Sequence, residues 1–161
     1  MDNNKQCVDM LEDILKKQLD ALCEILEVTK EQERLAGEPT FDEDRFDETL
    51  SKKDVLIIRL NELDNGFASI YGRVRSEVQN NPDMYHEKIA VLQGLIRQCT
   101  DLGMEIQTLE NRNKDKLAKC FAGKKQEYSA KHTAANVANK YSRTMKNVNL
   151  MNGGHGFNLD K

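Results

Sequence analysis

Residues 54–78 read DVLIIRLNELDNGFASIYGRVRSEV, and their apolar side chains recur with a single period. Leu56, Leu60, Leu63, Phe67, Ile70, Val74 and Val78 follow in steps of four, three, four, three, four and four. Such steps line up side chains on one face of an α-helix, whereas a strand alternates in twos. A stripe of this length is costly to leave in water, so it must face other helices. The chain supplies one candidate partner on each side, which makes 54–78 the expected central strut.

The first partner is expected over residues 4–35. Val8, Leu11, Leu15, Leu19, Leu22 and Leu26 form its stripe, and Ile14 and Ile25 widen the edge. Charged residues occupy the other face, with Asp13 and Lys17 at the i,i+4 spacing of a helical ion pair. After Leu26 come Thr29, Lys30 and Glu33, so this end is expected to fray or face solvent. The segment AGEPTFD (36–42) breaks the helix, because Pro39 cannot continue it. QNNPD (79–83) is the second break, with Asn81 able to cap the next helix and Pro82 at its first position. Tyr85, Ile89, Leu92, Leu95, Cys99, Leu102, Ile106 and Leu109 form the third stripe, which runs on through Asn113 to Leu117 and Phe121. Asn113 either fixes helix register or marks the end of the seam. Gly66 and Gly72 lie off the central stripe and imply a close helix approach or a bend.

The expected fold is therefore all-α: an elongated antiparallel three-helix bundle or coiled coil over residues 1–122, with a partly disordered C-terminal tail over 123–161. Composition agrees, since the chain is 32% charged and 6% aromatic with no Trp. Narrow helical seams need few aromatics, whereas a substrate pocket needs more apolar bulk. Residues 1–48 hold 15 acids and 6 bases, and residues 112–161 hold 11 bases and 3 acids. Scattered lysines without a fingerprint motif argue against nucleic-acid binding by the basic end. Cys7, Cys23, Cys99 and Cys120 are widely spaced, and the start of the chain does not read as a signal peptide. A reduced, cytoplasmic protein without membrane insertion is the expectation, with Cys99 a small buried hydrophobe on its stripe.

Little in the sequence points to catalysis. His86, His132 and His155 are far apart, and none adjoins a Cys in a metal-ligand spacing. The contexts HEKIAV and HTAANV fit phosphotransfer poorly. The expectation is no enzyme, no metal and no cofactor. The tail keeps one pattern, in which Ala134, Ala138, Tyr141, Met145 and Val148 share a helical face. With Tyr128, Val137, Leu150 and Met151 these are the candidate partner-binding residues, since Tyr and Met make good contacts and Ala permits close approach.

The chain resembles the FlgN-like flagellar export chaperones. The resemblance rests on the leucine-rich first helix ending in ERLAGEP, and on Lys53, Asp54, Leu56, Ile57, Leu60, Leu63 and Asp64 as a K-D-x-L-I-x-x-L-x-x-L-D element. It extends through GFASIYGRV (66–74), LQGLIRQCTDLGMEIQTLE (92–110), the Tyr141–Met145 spacing and the final Phe-x-x-Asp-Lys. The resemblance implies a chaperone that holds hook-associated, hook–filament junction proteins in the cytosol and delivers them to the flagellar export apparatus. It implies that the C-terminal segment carries cargo recognition. FliT-like filament-cap chaperones share the architecture, and a self-associating structural coiled coil is the alternative from another class. Either a monomer or a dimer is compatible with these stripes.

Overall fold

The structure, a computed structural model, describes residues 2–122. They form α1 (Asp2–Ala36), α2 (Glu43–Asn80) and α3 (Pro82–Ala122), with no strand among the described residues. The all-α three-helix bundle is the architecture expected. At 1.5 Å per residue, the 41 residues of α3 span about 60 Å.

The helix ends follow from local chemistry. Gly37 and Glu38 close the end of α1 by donating to the carbonyls of Glu33, Arg34 and Leu35. Arg34 bridges Glu31 and Glu38 across the same turn. Asp42 caps α2, its Oδ1 accepting from the Arg45 amide at 3.2 Å. Residues 43–50 are thus the first turns of one long helix, with Glu43 and Asp44 favourable at its positive end. Asn81 alone joins α2 to α3. Its expected service to α3 is corrected: its backbone N–H and its Nδ2 both donate to Glu77 O, at 3.1 and 2.9 Å, so it closes α2. Pro82 opens α3 as expected.

The packing order differs from the expected one. α1 packs along both other helices, whereas α2 and α3 touch each other little. The strut is therefore α1, not residues 54–78. The reason is the width of its apolar face. Neighbouring residues Ala21 and Leu22, Ile25 and Leu26, and Leu35 and Ala36 are all buried, enough for two seams. α2 buries a narrower file that includes Phe46, Leu50, Ile57, Leu60, Phe67 and Val74. In that file Ile57 takes the place expected for Leu56, which lies partly buried at the edge.

Three apolar clusters follow one another along the bundle. Val8, Leu11, Leu15, Phe67, Val74, Tyr85 and Leu92 fill the end near Asn81. Ala21, Leu22, Ile25, Leu26, Ile57, Leu60, Cys99, Ile106 and Leu109 fill the middle. Leu35, Phe46, Leu50 and Leu117 fill the end near the α1–α2 turn, where Phe41 leans on Phe46 with ring centroids 5.3 Å apart. Neither central glycine serves a tight approach. A Cβ on Gly66 would make an ordinary 3.8 Å contact with Ile14, and one on Gly72 would meet nothing within 4 Å.

Candidate functional site

The residues singled out for partner binding, Tyr128, Ala134, Val137, Ala138, Tyr141, Met145, Val148, Leu150 and Met151, lie outside the described residues. So does the proposed division at residue 123. Three features of the described helices stand apart from plain seam packing.

The first is a buried polar layer between the middle and turn-end clusters. Thr29 and Gln32 of α1, Thr49 and Lys53 of α2, and Glu110 and Asn113 of α3 converge there, all buried. Lys53 Nζ donates to Glu110 Oε1 and, at 2.6 Å, to Gln32 Oε1. Gln32 Nε2 donates to Thr49 Oγ1 at 3.1 Å, and Thr49 Oγ1 donates to the Phe46 carbonyl at 2.5 Å. Beside this relay, Asn113 Nδ2 donates to Thr29 O at 3.0 Å, while Thr29 Oγ1 donates to Ile25 O at 2.6 Å. Burial pushes the Lys53 ammonium below the ordinary lysine value, and the adjacent Glu110 carboxylate pulls it back. An amine so shifted is chemically suited to proton transfer. Lys53 is 0% exposed and Glu110 1%, however, so no substrate reaches them and the layer is a packing device.

This layer overturns one expectation and decides between the two readings of Asn113. The end of α1 beyond Leu26 does not fray; Thr29, Gln32 and Leu35 are each 0% exposed. Nor does the α3 seam stop at Asn113, because Leu117 is buried beyond it. Lys53, Gln32 and Glu110 were missed because their residue types read as surface. Their phase was the available signal: Lys53 lies four residues before Ile57, and Gln32 three before Leu35.

The second feature is an apolar groove between α1 and α2, lined by Cys23, Val28, Val55 and Leu56 with Glu24, Glu27 and Lys52 at its border. The third is a cleft of mixed charge at the Asn81 end, lined by Lys5, Asp9, Glu77, Met84, Tyr85 and Lys88, with Val8 at its floor. There Lys88 Nζ bridges α3 to α1, 2.9 Å from Asp9 Oδ1 and 3.1 Å from Glu12 Oε1. The Lys88 hydrogen bond holds Asp9 below the usual carboxylate value. Glu12 is held down by Lys16 and then Lys88, and Lys88 itself is raised by both acids. Burial, followed by the nearby Glu77 charge, raises the Tyr85 phenol.

Metal and thiol chemistry find little support here. Among the described residues no group of three or more His, Cys, Asp and Glu is placed to hold a metal ion. Cys99 is buried as expected, its Sγ 3.9 Å from Leu15 O, and burial pushes the thiol up to about 11. His86 is exposed on α3. No described helix is long and apolar enough to cross a membrane. No protein-family model, curated protein or solved structure matches the chain.

Proposed function

We propose that this protein is a helical export chaperone of the FlgN-like kind, a cytoplasmic binder rather than an enzyme. It holds hook-associated proteins of the hook–filament junction and releases them to the flagellar export apparatus. One observation carries the reading. The stripes of α1, α2 and α3 are consumed by one another between Val8 and Leu117, yet the sequence places a further apolar face at Ala134, Ala138, Tyr141, Met145 and Val148. That face is more than three seams need, and it suits a partner helix or groove. The resemblance to export chaperones, carried by the first helix, the 53–64 element, 66–74, 92–110 and the Tyr141–Met145 spacing, supports the partner class. Tyr141 and Met145 supply contact area, and the basic residues of this end complement an acidic cargo surface.

The test is co-purification with hook–filament junction proteins. Full-length chain should retain them, and a chain ending after Ala122 should not. The Tyr141→Asp/Met145→Asp variant should lose binding by at least about thirtyfold, as when a central contact is removed, while the helical circular dichroism signal and melting temperature stay unchanged. Equal retention by the shortened chain would overturn the reading.

A further inference from the structure

We infer that the outward face of α2 is a self-association surface, on which a second copy of this chain lays its own α2 antiparallel. The inference stands apart from the chaperone reading, and its failure would leave that reading untouched.

The observation is a second seam on α2 that meets no partner among the described residues. Val55, Ile58, Glu62, Asn65, Ser69 and Gly72 are all exposed and follow in steps of three and four, on the side of α2 away from its buried file. One of these six carries a charge, on the solvent face of a chain that is 32% charged. Val55 is 66% exposed and Ile58 59%. At the other end of the same face, Gly72 has nothing within 4 Å of where a Cβ would stand. A glycine inside an exposed helix is unfavourable relative to Ala, and no contact within the described bundle compensates it.

The seam complements itself under a two-fold rotation. With the axis passing between Leu63 and Asp64, antiparallel pairing sets Val55 over the partner's Gly72 and Ile58 over the partner's Ser69. Each large side chain then meets a small one, which lets the helices approach closely. Glu62 falls beside the partner's Asn65, whose amide donates to the carboxylate. Every seam position pairs with another seam position, which is the requirement of an isologous interface. A parallel pairing would instead set Val55 on Val55 and Gly72 on Gly72, leaving one end crowded and the other empty.

The footprint sets the strength. From Ser51 to Ser76 the seam is roughly 39 Å long, and a strip about 10 Å wide covers on the order of 400 Å² per copy. Standard interfaces bury about 800 Å² per partner. The dimer is therefore weak and forms at elevated concentration.

Sedimentation velocity on the full chain, from about 5 to about 500 µM, brackets the affinity such a footprint supports. A reversible dimer is expected. Ile58→Asp and Gly72→Leu should each raise its dissociation constant by at least about thirtyfold, the effect of disturbing a central contact. Gly72→Leu is the decisive variant. Leucine favours the helix over glycine, so its melting temperature should hold or rise while the dimer is lost, which separates loss of pairing from loss of fold. A chain that stays monomeric across the range overturns the inference, as does a dimer indifferent to both substitutions.

Discussion

Lys53 and Glu110 are the residues on which the rest of the packing turns. They are the two charged members of the buried polar layer, and each needs the other to compensate for its lost hydration. A buried pair of this kind is poor evidence of net stability, because desolvation opposes the attraction. Removing one partner is a different matter. Glu110→Leu leaves Lys53 with Gln32 as hydrogen-bond partner and the more distant charge of Asp54, and should cost about 3–5 kcal/mol in urea unfolding. Lys53→Met together with Glu110→Leu should recover most of that loss, since a well-packed apolar pair avoids the desolvation penalty. A double variant as unstable as the single one would mean that the layer's relay, and not its charge balance, sets the cost. Asn113 acts at the same level without charge. Its Nδ2 reaches Thr29 O, a carbonyl already used within α1, so it reports one axial position of α3 against α1. That is the register role of a polar seam residue.

At the scale of elements, α1 is held to α3 by ion pairs at both ends, and to α2 by apolar packing along its length, the Gln32 hydrogen bonds and the Arg45–Glu31 pair at 3.4 Å. Near the start of α3, Lys88 meets Asp9 and Glu12; near its end, Arg112 and Lys116 approach Glu33 at 3.6 and 3.5 Å. These contacts fix α1 and α3 as parallel neighbours. The Lys88 cluster also sets a pH dependence. Asp9 and Glu12 titrate lower in the folded chain than unfolded, so their stabilisation is complete above the ordinary carboxylate values. It is lost as pH falls through their folded values, in the region below about 4. Lys88 is raised, so its share persists below the ordinary lysine value and fades as pH rises through the folded one. Replacing Lys88→Ala should therefore flatten the acid limb of a stability–pH profile and leave the slope between pH 6 and 8 unchanged. A steeper acid limb in the variant would contradict this assignment.

At the scale of the whole molecule, the number, type and rough limits of the helices were legible because each stripe keeps one period. Val8 to Leu26, Phe67 to Val74 and Tyr85 to Leu109 are buried or lie at the seam edge, as the spacing predicts. The hub was not legible. Periodicity reports that a face is apolar, but choosing between one broad seam and two narrow ones depends on a few edge residues. Ile25, read as an edge, is 0% exposed, and Ala21 beside it is 1% exposed. The polar layer was hidden for the opposite reason: residue type contradicted phase at Gln32, Lys53 and Glu110, and type was given more weight. The candidate partner-binding residues fall beyond residue 122, where sequence spacing alone speaks for them.

The one-residue joint at Asn81 has a consequence for how the chain comes off the ribosome. α1 and α2 are neighbours in sequence and close early as a hairpin, but α3 makes few contacts with the helix it follows. It must fold back onto α1, and Asn113 finds Thr29 across 84 residues. Until Glu110 has emerged and docked, Lys53 belongs to the hairpin without its carboxylate and stays hydrated. Dehydration of the layer thus waits for α3, the last made of the three described helices. A chain ending after Asn80 should accordingly be helical by circular dichroism yet unfold without a cooperative transition, whereas one ending after Ala122 should melt sharply. A sharp transition in the shorter chain would show that the hairpin seals by itself.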